Sequence, residues 1–294
     1  MEPGQVESPL WWRKQVAREL VQLRDTADAR LGRKVSVTEA AKALGCSVGK
    51  ISGMHAGDGR LNFRDVRDLS MLYGTPADDV ERLTEWAKRS ARPSGFKEFA
   101  AVMGEPLAEL IGGEAEAHTE IDYEHGLMPG LLQCEAYAEA QAIASGIEPE
   151  QVAAVVGLRK KRQQRLTDDN PLTLEVFIEE SVLHRPIGST SVMRVQLKHL
   201  LTTGTLPNVN VRVVRTRVGY HRALGGRFIL LSFTDFPTAI YLEQPPVIGS
   251  RYADDPTLVA EYQEKVASLH SVAEGLEESA ELIETVMSDL PLEG

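Results

Sequence analysis

SVTEAAKALGCSVGKISGMHAG, residues 36–57, is the stretch that decides the fold of the N-terminal part of this chain. It opens on Ser36-Val37-Thr38-Glu39, a capping box in which a hydroxyl is followed three residues later by a carboxylate. A short helix to Ala43 is predicted behind it. Leu44-Gly45-Cys46 then turns, Ser47 caps a second helix running to about Ala56, and Gly57-Asp58-Gly59 ends that helix. Two short helices crossing steeply need small residues where they touch and a turn residue tolerant of positive φ. Ala40 and Ala41 meet the first need and Gly45 the second. Leu44, Ile51 and Met54 are expected to face inward. Ala41, Gly45, Ile51 and Met54 thus form the core of a helix-turn-helix.

Such a motif presents the N-terminal part of its second helix to the major groove of duplex DNA. Ser47, Val48, Gly49 and Ser52 are the expected base contacts. Valine suits a thymine methyl, and a serine hydroxyl can donate or accept. Lys50, Arg60 and Arg64 suit phosphates, and Arg18 and Arg24 on the preceding helix extend that clamp. Phosphate contacts give affinity and position, whereas base contacts give sequence. No Arg, Asn or Gln stands among the base readers, so DNA shape or a partner half-site is expected to supply part of the specificity. The competing reading is a plain helical bundle with the same punctuation.

Outward from the motif, Leu10 to Arg30 carries Trp12, Val16, Leu20 and Leu23 at helical spacing. Asn62 and Asp65 open a helix with Val66, Leu69 and Leu72 inward. Pro76 opens a fifth, with Val80, Leu83 and Ala87 on one face. Arg92-Pro93-Ser94-Gly95 reads as a linker. The expected organisation is an all-α five-helix domain over 1–92, followed by an α+β domain over 93–294 with a small, mainly antiparallel sheet. Residues 96–145 read as helical, as do 150–167, 189–201, 256–273 and 277–290. Strands are expected at 172–178, 209–214, 227–233 and 238–243.

The 294 residues and 43% hydrophobic content suit two globular domains. Cys46 and Cys134 make no disulfide framework, which points to a reducing compartment. The opening MEPGQVESPL lacks the pattern of a leader, and no apolar run is long enough to span a membrane. A soluble, cytoplasmic protein is expected. The net charge of −11 is unevenly spread. Residues 1–100 hold 17 Lys/Arg against 14 Asp/Glu, and the rest hold 15 against 29. That asymmetry fits a nucleic-acid-binding head on an acidic body.

Other constellations were weighed against plainer readings. His221, within Gly219-Tyr220-His221-Arg222, with Tyr241 and Glu243, would suit acid–base chemistry in a pocket; a turn histidine and an edge strand are the simpler reading. Gly225-Gly226 has no following Lys-Ser/Thr, so it is no phosphate loop. His184, His199 and His221 are scattered, and no cysteine pair has zinc spacing. No catalytic residue, cofactor or metal is expected. The basic run Arg159 to Arg165 reads as a second DNA contact, a grip on an acidic partner, or a face neutralised by the domain's own carboxylates. Met128-Pro129-Gly130-Leu131-Leu132 lines a groove or makes a core turn.

Residues 16–90 resemble the XRE, phage-repressor-like class of helix-turn-helix domains. The resemblance rests on Leu20, Leu23-Arg24, Ala40-Ala41, Leu44-Gly45-Cys46-Ser47, Lys50-Ile51-Ser52, Gly57 and Leu69 to Gly74. The rest resembles the C-terminal domain of a group of actinobacterial, antitoxin-like regulators. There the matching segments are Tyr123-Glu124, Leu127 to Gln133, Tyr137-Ala138, Arg159 to Arg165, Glu180 to Leu183, Arg185-Pro186, Met193 to Leu197, Leu206 to Val209, Gly225 to Phe228 and Tyr241 to Glu243. The resemblance implies a homodimeric transcription regulator, often encoded beside a small partner protein whose binding alters DNA occupancy. Two other readings stand beside it: a non-catalytic antitoxin-like protein whose main role is binding that partner, and an enzyme with a DNA-targeting head.

Overall fold

The computed structural model describes residues 8–243 and 250–291. Its described residues begin with α1 (Pro9–Asp25), α2 (Ala27–Leu31), α3 (Val37–Ala43), α4 (Val48–Ala56), α5 (Phe63–Leu72), α6 (Ala77–Arg89) and α7 (Glu105–Glu116). The three caps are made by short polar side chains. Ser36 Oγ accepts from the Glu39 amide at 3.1 Å, Ser47 Oγ from Lys50 at 3.2 Å, and Asn62 Oδ1 from Arg64 at 2.9 Å. The single opening helix expected over 10–30 is two helices, α1 and α2, broken at Thr26. There the Thr26 hydroxyl donates to the Gln22 carbonyl at 2.7 Å, and the Arg30 side chain folds back onto the Leu23 and Tyr73 carbonyls.

The chain divides into two compact units, one of residues 8–97 with Leu107–Ala115 and one of Glu98–Pro106 with the described residues from Glu116 onward. In the first unit, Trp11, Trp12, Leu20, Ile51, Leu69 and Leu83 are fully buried. Helix α7 lies on α1 so closely that a methyl group at Gly112 would collide with Trp11 Cβ and Ser8 Oγ. Ser8 Oγ also donates to the Ala108 carbonyl at 3.4 Å, and Arg18 pairs with Glu109. Gly112→Ala is therefore expected to destabilise this unit by about 2–3 kcal/mol through overpacking, seen as a lowered Tm in circular dichroism. An unchanged Tm would mean that α7 is free to move away from Trp11.

The second unit runs β1 (Thr119–Glu124), α8 (Glu135–Ala144), α9 (Pro149–Gln163), β2 (Thr173–Glu179), α10 (Glu180–His184), α11 (Thr190–Thr203), β3 (Val209–Val214), β4 (Phe228–Ser232), β5 (Ala239–Leu242), β6 (Arg251–Ala253), α12 (Pro256–Val272) and α13 (Leu276–Asp289). The expected small, mainly antiparallel sheet is corrected by this topology. Six strands lie in the order β3-β2-β1-β4-β5-β6. β1 and β2 pair in parallel, as do β2 and β3, while β1–β4, β4–β5 and β5–β6 are antiparallel. Parallel neighbours need crossover segments, and α8–α9 and α10–α11 supply them.

β1, at the centre of the sheet, falls where the sequence reads as helical. Its alternate residues Glu120, Asp122 and Glu124 look like a solvated face, yet they are 0%, 2% and 3% exposed. The opposite face of the sheet is apolar. Tyr123, Phe177, Phe228, Leu230 and Ile240 pack there with Val259, Val266 and Leu269 of α12.

Candidate nucleic-acid interface

The turn between α3 and α4 depends on Gly45, whose φ of +61° is a left-handed conformation that costs a side-chain-bearing residue energy. Ala40 and Ala41 are buried where the helices meet, Ile51 is fully buried and Met54 is 5% exposed, whereas Leu44 is only half-buried. With Ile51 and Met54 turned inward, the helical period sends Val48, Gly49, Ser52 and Ala56 outward along one stripe. All four are exposed, and Val48 shows 46% of its surface. Ser47, also exposed, uses its oxygen lone pair as the N-cap and keeps its O–H proton to donate. Ala56 is the member of this stripe that the sequence reading passed over; its spacing of four from Ser52 is the signal that finds it.

The phosphate candidates fall into separate environments. Arg60 and Arg64 are exposed in the loop after α4 and the first turn of α5. Neither is ion-paired among the described residues, and the Arg64 guanidinium lies 5.7 Å from the Phe63 ring centre. Lys50 points away from the outward stripe and pairs with Asp65 of α5 at 2.6 Å, which raises its pKa. Arg18 is held by Glu109. Lys14, a cation the sequence reading did not single out, donates to the Ala56 carbonyl at 3.4 Å. With Ala17, Val21 and His55 it lines a cleft of about 390 Å³ beside the end of α4.

Arg24 pairs with Asp25 at 2.7 Å and points its Nη1 at His55 Nδ1, 3.4 Å away. His55 Nε2 lies 3.0 Å from the Tyr73 hydroxyl, an arrangement suited to a neutral imidazole protonated on Nε2. Burial first, and then the Arg24 charge, lower the His55 pKa below its usual 6.5; burial pushes Tyr73 up to about 12. A histidine whose folded pKa is depressed stabilises the fold fully above the unfolded pKa and loses that contribution as pH falls through the folded value. Lowering the pH from roughly 7 to 5 should therefore reduce the Tm of the wild type more than that of His55→Gln. Equal losses in the two proteins would refute this role for His55. No sequence signal links residues 24, 55 and 73, because helix packing alone brings them together.

In the second unit, the basic run turns back on the protein's own acids. Arg162 is buried at 3% exposure, Lys160 pairs with Glu135 at 2.7 Å and Lys161 with Glu98 at 2.7 Å. Arg165 reaches Asp168 at 3.6 Å and the Ala117 carbonyl at 3.0 Å. Arg227 stands over β1, with its Nε 2.6 Å from Glu124 and 4.0 Å from Asp122, and pairs with Glu243 as well. Burial pushes the Glu124 carboxyl well above its usual range, Asp122 adds to the rise, and Arg227 and Arg159 oppose it. Met128, Leu131 and Leu132 are buried in a core turn closed by Gln133, Tyr137 and Gln196. His221 is 5% exposed and bonds Glu179 at 2.8 Å, which also accepts from the Tyr123 hydroxyl at 3.0 Å. Tyr241 and Glu243 belong to the Arg227 neighbourhood, so the three residues weighed as a catalytic set lie in two different networks. Cys46 and Cys134 are both free thiols. Among the described residues no cluster of His, Cys, Asp and Glu is placed to hold a metal, and no helix is long and apolar enough to cross a membrane.

A family model described as a helix-turn-helix domain matches residues 15–83. A second, described as a domain of unknown function (DUF5753), matches residues 107–285. No curated protein and no solved structure matches the chain.

Proposed function

The chain belongs to the family described as a domain of unknown function (DUF5753), with a helix-turn-helix domain ahead of it, and from this we propose a sequence-specific DNA-binding transcription regulator. The observation that carries the proposal is the outward stripe Val48, Gly49, Ser52 and Ala56, fixed by buried Ile51 and Met54. Small side chains there let the helix sit deep in a groove, and the exposed Arg60 and Arg64 flank it for phosphates. In this reading the head is of the XRE type and the protein acts in the cytoplasm as a homodimer. The acidic body is a regulatory part of the antitoxin-like kind. It works by binding a small partner protein or ligand rather than by catalysis, and a sealed His221 supports a structural role for that residue.

Footprinting on the promoter upstream of its own gene tests the proposal. Two protected half-sites spaced by whole helical turns, about 34 Å each, are expected of a dimer. One continuous half-site would remove the dimer, and no protection would remove the DNA-binding reading. A second reading, an interaction protein whose main task is gripping a small partner, draws on the 29 Asp/Glu against 15 Lys/Arg in residues 101–294. A partner that co-purifies with a chain retaining no duplex would favour it.

A further inference from the structure

Most polar side chains of α4 and its cap are already engaged. Ser47 Oγ accepts from the Lys50 amide at 3.2 Å, and Lys50 Nζ pairs with Asp65 at 2.6 Å. The His55 ring faces Arg24 at 3.4 Å and the Tyr73 hydroxyl at 3.0 Å. The helix holds no Arg, Asn or Gln to bond a purine edge in pairs. Ser52 supplies one exposed hydroxyl. Beside it on the outward stripe stands Val48, apolar and 46% exposed in the first turn.

The same helix carries Gly49 and Gly53, four residues apart, and neither has a positive φ. A Cβ at Gly49 would meet only Ser47 Oγ, at an ordinary 3.8 Å, and one at Gly53 would meet nothing within 4 Å. Glycine weakens a helix relative to alanine, so neither is explained by packing among the described residues. Both suit an outside surface that comes close to the α4 backbone. In a helix-turn-helix domain, matched here over residues 15–83, that surface is the floor of the major groove.

The apolar group that the major groove presents is the thymine 5-methyl. We propose that α4 selects thymine: Val48 packs on 5-methyl groups of the operator, and Gly49 and Gly53 bring the helix close enough for that contact. The proposal rests on the reading of the head as DNA-binding and names the base it selects and the residue that selects it.

The test uses the full chain and a labelled duplex spanning the footprint upstream of its own gene. Each thymine of a protected half-site is replaced in turn by deoxyuridine, which lacks only the methyl group, with anisotropy as the readout. Wild type should lose about fourfold in affinity at one or two of these positions, the worth of one buried methyl. Val48→Ala should bind the thymine duplex about fourfold more weakly and lose nothing further at the same positions. Its Tm should not fall, since Val48 is exposed and alanine is the better helix former. The double variant G49A/G53A should raise the Tm and yet weaken duplex binding at least tenfold, because the added methyl groups hold α4 off the groove floor. Duplex binding indifferent to every deoxyuridine would overturn the proposal and leave DNA binding standing. An equal deoxyuridine loss in wild type and Val48→Ala would assign the effect to DNA shape and overturn it too. Full affinity in G49A/G53A would do the same for the close approach. No duplex binding at all would remove this proposal and the DNA-binding reading together.

Discussion

Ser52→Glu should weaken duplex binding by at least about thirtyfold, roughly 2 kcal/mol, and leave the melting temperature where it is. Ser52 is exposed on the outward stripe of α4, on the side away from buried Ile51 and Met54. Glutamate is a better helix former than serine, so the helix itself gains nothing harmful. The loss comes from a carboxylate carried into a groove walled by phosphates, and from a lost base contact. Anisotropy with a labelled duplex measures the first quantity and circular dichroism the second. Unchanged affinity would mean that α4 does not enter the groove. Reduced affinity with reduced stability would mean that Ser52 is structural, contrary to its exposure.

Arg227→Met should cost the second unit about 3–5 kcal/mol at neutral pH, a fall of roughly 10 °C in Tm. The guanidinium lies among Asp122, Glu124 and Glu243. Methionine keeps the stem's apolar bulk but leaves two buried carboxylates without that counter-charge. The cost should shrink toward pH 5. A protonated Glu124 needs no cation, and burial favours that form. Thermal melts of both proteins across that range make the comparison. A gap that stays constant with pH would argue that Arg227 matters for packing rather than charge.

The buried charges at β1 also explain what the sequence concealed. The head was legible because its cues are local: Ser36, Ser47 and Asn62 act as caps on their own helices, and Gly45 needs only its own φ. β1 was not, since Thr-Glu-Ile-Asp-Tyr-Glu puts acids where a buried strand has apolar residues. Its burial makes sense only with Arg227, Arg159 and Arg162, which come from distant parts of the chain. The basic run of α9 was visible as charge, but its neutralisation by Glu98, Glu135 and Asp168 depends on tertiary contacts. The sheet order was hidden for a related reason. Strand patterns reveal burial, while parallel pairing follows from which helices cross over the sheet. Within the candidate interface, the exposure of Val48, Gly49 and Ser52 follows from helical period. The separation of Lys50 and Arg18 from Arg60 and Arg64 does not, because Asp65 and Glu109 claim the first two only in the folded chain.

The affinity of the full chain for duplex DNA from upstream of its own gene, measured from about 50 to 200 mM salt, tests DNA binding most directly. A protein that clamps phosphates through exposed Arg60 and Arg64 in each of two protomers should lose about a hundredfold in affinity across that range, with log affinity falling linearly against log salt. An absence of duplex binding at the lowest salt, or an affinity indifferent to salt, would contradict the assignment of α4 and its flanking arginines to DNA.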